Sequence, residues 1–85
     1  MAKILVAEDA RNTNKLICAV MRRMGHEPLP ARDGAEALAL IDTDHPDLLI
    51  TDLMMPRLDG MELTRQLRDA GYDLPILMLT AKGAQ

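Results

Sequence analysis

The stretch DLLITDLMMPRLDG, residues 47–60, runs apolar for several residues and then stops on a carboxylate, Asp52. Leu48, Leu49 and Ile50 show no polar alternation, the pattern of a strand covered on both faces in a parallel sheet. Asp52 therefore stands where such a strand leaves the core, and in open α/β sheets ligands bind along that edge. Taken singly, an Asp in this position reads as a helix cap or turn residue. What the rest of the chain brings beside it decides between the two readings.

Upstream, Lys3-Ile4-Leu5-Val6-Ala7 reads as another buried strand, ending at Glu8-Asp9. Over residues 11–24 the apolar residues Leu16, Ile17, Val20 and Met24 recur at helical spacing, and Gly25 supplies the stop. Residues 27–31 form the next strand. Its Pro28 and Pro30 cannot donate to a ladder, which places it at a sheet edge.

Asp33-Gly34-Ala35-Glu36 and Asp59-Gly60-Met61-Glu62 share the D-x-x-E spacing of a capping box, with Asp in place of Ser or Thr. Each precedes a helical pattern, Leu38 and Ile41 in the first, Leu63, Leu67 and Ala70 in the second, which Gly71 closes. A last apolar run, Pro75-Ile76-Leu77-Met78-Leu79, ends on Thr80.

The order β-α-β-α-β-α-β predicts an α/β fold with a mostly parallel sheet and right-handed crossovers. Glu8-Asp9, Asp52 and Thr80 all lie at carboxyl ends of strands and should converge on one edge. Three carboxylates gathered there repel one another unless a cation sits among them. An oxygen-only set of this kind suits a hard divalent ion, Mg²⁺ before Ca²⁺. With Glu8, Asp9 and Thr80 placed by the same topology, Asp52 reads as part of a cation site.

The bulk composition narrows the function classes. Eighty-five residues make one small domain, with no Trp or Phe and one Tyr, so Leu, Ile, Val, Ala and seven Met must fill the core. A net charge of -3 without any Lys/Arg run argues against direct binding of nucleic acid. Cys18 is alone, which precludes an internal disulfide and fits a reducing compartment. It reads as a small buried hydrophobe in the first helix. No apolar stretch approaches the ~20 residues that span a bilayer, and the first apolar run is too short for a signal peptide. The expectation is a cytoplasmic chain with no membrane contact.

His26 and His45 lack ligand-spaced partners and read as surface residues. Met54 and Met55 read as packing or loop positions. Arg11, Asn12 and Asn14 read as solvated residues of a first helical turn.

The successive segments ILVAED, ARDGAEAL, PDLLITDLMMPRLDG and LPILMLTA resemble, in order and spacing, the signatures of response-regulator receiver domains of two-component signalling. The pattern D-x-x-M-P-x-x-D-G, Asp52 to Gly60, is the most specific of them. The resemblance covers essentially the whole chain. It implies a flavodoxin-like (CheY-like) doubly wound parallel sheet of four strands and three helices, in strand order 2-1-3-4.

It further implies that Asp52 is the phosphoacceptor, taking a phosphoryl group from a sensor histidine kinase or phosphotransfer protein. Asp9 and Asp52 would ligate Mg²⁺ directly, Glu8 largely through water, and the backbone carbonyl of Met54 would be a further ligand. Thr80 would hydrogen-bond a phosphoryl oxygen. Such a module catalyses only its own phosphoryl transfer and hydrolysis. Pro56 and Gly60 would shape the loop after the acceptor, and Ala81 would leave room beside the phosphate.

Departures from the family pattern carry their own expectations. The family fold continues with a helix, a fifth strand and a last helix, so residues 1–85 read as a partial receiver without that segment or the Lys after the fifth strand. Lys82 reads as a solvated lysine. The strand at 76–79 then becomes an edge, with apolar surface bare over it and over the strand at 48–50. The expected result is association, as a homodimer or a segment swap through Ile76–Leu79. The alternatives to phosphoacceptor signalling are a phosphorylation-incompetent interaction or assembly module, or a fragment of a longer response regulator.

Overall fold

The computed structural model describes residues 1–55 and 58–79. Seven elements follow in order: β1 (Lys3–Ala7), α1 (Arg11–Arg23), β2 (Glu27–Ala31), α2 (Gly34–Asp44), β3 (Leu48–Asp52), α3 (Gly60–Asp69) and β4 (Ile76–Leu79). The four strands form one parallel sheet in the order β2-β1-β3-β4. This is the predicted order, and it puts the proline-bearing β2 at an edge, where its missing N–H groups cost the ladder least.

Each strand alternates between two apolar layers. Leu5, Ala7, Ala31 and Leu49 pack with Ala37 and Ile41 of α2 and Leu63 and Leu67 of α3. Ile4, Val6 and Ile50 pack on the other face with Cys18 of α1. Because β1 and β3 are covered on both sides, Leu5, Val6 and Leu49 are fully buried.

Local chemistry sets the helix ends. The side chains of Asp33 and Asp59 accept the Glu36 and Glu62 amides at 2.8 Å, as the D-x-x-E spacing predicts. The reciprocal half of the box differs between them. Glu36 turns back to the Arg32 N–H, whereas Glu62 pairs forward with Arg65 and Gln66. Gly25 and Gly71 follow α1 and α3 with φ of 89° and 91°, the left-handed conformation that stops a helix.

The buried face of α1 differs from the one the apolar periodicity predicts. Leu16, Val20 and Met24 are exposed. The inward stripe is instead Asn14, Ile17, Cys18 and Met21, at i, i+3, i+4 and i+7, and one of its members is polar. Asn14 is therefore not a solvated first-turn residue, while Arg11 and Asn12 are exposed as expected. Ala70 is also exposed, at the cap of α3. His26 is half-buried, its ring nitrogen accepting the Ala2 N–H, and His45 is an exposed cap of α2 with positive φ.

Among the described residues β4 is the second edge, paired on one side with β3. Its Leu77 is 52% exposed and Met78 37%. The bare surface expected over both β3 and β4 is confined to β4, because Ile50 of β3 is buried in the cluster with Val6 and Cys18.

Candidate metal centre

Strands β1 and β3 are parallel neighbours, with Ala7 opposite Thr51. One residue further on, this register brings Glu8 beside Asp52, and Asp9 opens the turn into α1. Carboxylate oxygens of Glu8, Asp9 and Asp52 all lie within 4.8 Å of one another. Glu8 and Asp52 are buried, Asp9 is exposed, and the three line one hollow with Ala10, Thr13, Ile17 and Leu79.

The local backbone satisfies part of this negative charge. The Ala10 N–H donates to Glu8 Oε2 at 2.9 Å, and the Met54 N–H donates to Asp52 Oδ1 at 3.3 Å. No cationic side chain does so among the described residues, whose ion pairs join Arg32 to Glu36 and Arg65 to Glu62 and Asp69. Burial pushes the Glu8 carboxyl above its ordinary value, and the charges of Asp52 and Asp9 push the same way against the Ala10 N–H. Two like charges at this spacing repel by about 1 kcal/mol in water and roughly four times that in a half-buried site.

The donor set therefore fits a small hard cation. It is all oxygen and partly preformed, and it is open on the Asp9 side where waters of the ion could remain. These are residues that would hold Mg²⁺.

The loop after β3 is held close to this cluster. Gly60 donates its N–H to the Leu53 carbonyl at 3.0 Å and begins α3 directly against the backbone of Asp52. The predicted carboxylates thus come together at one sheet edge. Met54 lies two residues past Asp52 with its side chain exposed, and Leu79 stands opposite Asp52 in the β3–β4 register. Thr80, Ala81, Lys82 and Pro56 lie outside the described residues.

Sequence context placed Asn14 among solvated first-turn residues, yet it is buried and its amide reaches the backbone of Val6, Glu8 and Ala31 beneath the site. Its spacing to Ile17, Cys18 and Met21 was the available signal.

Three kinds of similarity agree with this geometry. Residues 4–85 match the family model described as the response regulator receiver domain. Response regulator MprA of Mycobacterium avium (strain 104) is 49% identical over 80 residues, covering 94% of this chain and 35% of that protein. MprA of Mycobacterium tuberculosis (strain ATCC 25618 / H37Rv) matches with the same identity and coverage. The chain thus spans about a third of the length of these curated relatives.

Among solved structures, the Francisella response regulator 1452 receiver domain superposes with a TM-score of 0.93 at 35% identity, over 100% of this chain and 70% of that one. Response regulator protein TrrA from Thermotoga maritima, solved in complex with Mg²⁺-BeF, superposes at 0.89 with 34% identity, over 95% of this chain and 70% of that one. With the family model spanning nearly all of its length and the predicted strand order present, this chain belongs to the response regulator receiver domain family.

Proposed function

We propose that this chain is a phosphoacceptor module, in which Asp52 takes a phosphoryl group from a phosphohistidine of a sensor histidine kinase or phosphotransfer protein. The observation that carries the reading is the approach of the Glu8, Asp9 and Asp52 carboxylates to within 4.8 Å with no cationic side chain among the described residues to neutralise them. A Mg²⁺ complex of the similar TrrA supports a divalent ion here. Glu8, Asp9 and Asp52 would hold it, joined by the Met54 carbonyl.

In this reading an Asp52 Oδ attacks phosphorus, an O–P bond forms, the N–P bond to histidine breaks, and the imidazole leaves. A carboxylate oxygen attacks without giving up a proton, so the step needs no general base. What the chain supplies is position and charge balance, which dominate phosphoryl transfer. A bound Mg²⁺ would neutralise negative charge developing on the transferred group. The Met54 N–H, already on Asp52 Oδ1, orients one carboxylate oxygen and leaves the other to react. Thr80, one residue beyond Leu79, would hydrogen-bond a phosphoryl oxygen.

Incubation with a small phosphodonor and Mg²⁺, followed by intact mass, tests this. One phosphoryl addition to wild type, absent in Asp52→Asn, is expected. No addition to wild type would eliminate the reading in favour of a phosphorylation-incompetent interaction module.

The β4 edge supports a second property of the same chain. Leu77 and Met78 are exposed on a strand with one free side among the described residues. Self-association as a homodimer or segment swap through Ile76–Leu79 would cover them. No helix among the described residues is long and apolar enough to cross a membrane. The free, buried Cys18 supports a reducing, cytoplasmic setting.

A further inference from the structure

We infer that Asn14 is a positioning residue for the carboxylate cluster: its side-chain amide pins the turn carrying Glu8 and Asp9 to the end of β2. The inference rests on the cation-site reading above and assigns a further residue to it.

Asn14 is 6% exposed, on the first turn of α1. Its amide nitrogen lies 3.0 Å from the Glu8 carbonyl, 3.0 Å from the Ala31 carbonyl and 3.2 Å from the Val6 carbonyl. An amide carries two N–H protons, so at least one of them is shared between two carbonyls. The amide oxygen is used as well, accepting from the Cys18 thiol at 3.3 Å. With its nitrogen set among three backbone carbonyls, this buried side chain has one orientation available to it.

What the amide grips is informative. The β1–β2 ladder ends with Ala7 opposite Ala31, and the Glu8 N–H then donates to the Ala31 carbonyl at 3.0 Å. The Glu8 carbonyl lies past the last pair, where β2 gives way to the Asp33 cap of α2. Asn14 supplies there the donor that a neighbouring strand no longer can.

Glu8 is consequently held at three points: its N–H by Ala31, its carbonyl by Asn14 and its carboxylate by the Ala10 N–H. Glu8, Asp9 and Asp52 repel one another in the absence of a cation, and the turn from β1 into α1 is the most direct way for two of them to move apart. Fixing its backbone keeps them poised before an ion arrives. The same logic makes the groups behind metal ligands matter for affinity. Leu in this place would fill a similar volume and leave the Glu8 carbonyl without its amide donor.

The test compares Asn14→Ala with Cys18→Ala in the full chain. Cys18 lies one turn along the same buried stripe and its hydrogen bond to Asn14 is to the amide oxygen, so its truncation loosens packing while leaving the amide donors in place. Mg²⁺ affinity is read by calorimetric titration, at a temperature where circular dichroism shows each variant folded. Asn14→Ala is expected to weaken Mg²⁺ binding by about tenfold or more, and Cys18→Ala by less than about twofold, the change expected of packing loss away from the ligands.

Equal weakening by both variants, or wild-type affinity in Asn14→Ala, would overturn the assignment. Should Asn14→Ala not fold, the wild-type chain decides by nuclear magnetic resonance. The Asn14 side-chain amide protons are expected to resist solvent exchange and to shift with the same Mg²⁺ midpoint as the Glu8 and Asp9 amides. A freely exchanging Asn14 amide, or one indifferent to Mg²⁺, overturns the inference. Wild type that takes up no Mg²⁺ at all removes the cation-site reading and, with it, the role given to Asn14. That outcome is distinct from normal wild-type binding with a silent variant.

Discussion

Gly60 stands so close to Asp52 that a Cβ at position 60 would lie 2.6 Å from the Asp52 carbonyl oxygen and 3.1 Å from the Leu53 Cα. Both neighbours are backbone, which cannot rotate aside as a side chain can. Because Gly60 also donates to the Leu53 carbonyl, the start of α3 is locked to the end of β3. Gly60→Ala should therefore push β3 and α3 apart. We expect a loss of about 1–3 kcal/mol in denaturant unfolding, the usual cost of overpacking, together with weaker Mg²⁺ binding. A variant as stable as wild type would show that the contact relaxes without consequence.

Glu8 gives a pH dependence of defined sign. Burial, with the charges of Asp52 and Asp9, raises its carboxyl above the ordinary 4.5, so the folded chain binds this proton more tightly than the unfolded chain. Its contribution to stability is fully present below 4.5 and is lost as pH climbs through the raised value. In metal-free buffer, the melting temperature of Glu8→Gln minus that of wild type should grow as pH rises through this window. Mg²⁺ affinity of wild type should rise over the same window, since the ligand must be deprotonated. A difference between the two chains that is flat with pH would refute the assignment.

Removing one charge from the cluster should stabilise the metal-free chain. Asp52→Asn keeps the shape of the side chain and its acceptor for the Met54 N–H while deleting repulsion from Glu8 and Asp9. A gain on the order of 1 kcal/mol follows from like charges at this separation. Mg²⁺ should reverse the ranking, stabilising wild type by about 2.7 kcal/mol at a hundredfold excess over its Kd and the variant by much less. Thermal melts with and without Mg²⁺ read both effects, and an unchanged ranking would count against the shared-ion site.

At β4, which is an edge of the sheet among the described residues, Leu77 is 52% exposed. Leu77→Lys places a charge where a second copy would pair and should shift the chain towards monomer. Sedimentation across a concentration series would register this. Wild type that is monomeric at every concentration would remove self-association through Ile76–Leu79.

The topology was legible because buried strands and amphipathic helices leave different apolar periods, and because Pro28 and Pro30 mark an edge. The carboxylates were legible because each ends a buried run at the same pole of the sheet. The face of α1 was not. Counting apolar residues selects Leu16, Val20 and Met24, which are exposed, and passes over Asn14, which is buried. An amide is drawn inward only where strand-end carbonyls need a donor, and that need is visible once β1 and β2 stand side by side. In the same way, Ile50 is buried in a cluster with Cys18 of α1, a grouping that no local pattern announces.

The phosphoacceptor chemistry proposed for Asp52 requires a single divalent ion shared by Glu8, Asp9 and Asp52. Substoichiometric Mn²⁺ added to the ¹⁵N-labelled chain tests it most directly, since the paramagnetic ion broadens nearby amides first. Selective broadening at Glu8, Asp9, Ala10, Asp52, Leu53 and Met54 is predicted, with Glu62 and Asp69 on α3 unaffected. Broadening that begins at Glu62 and Asp69, or that spreads evenly over the acidic surface, would contradict it.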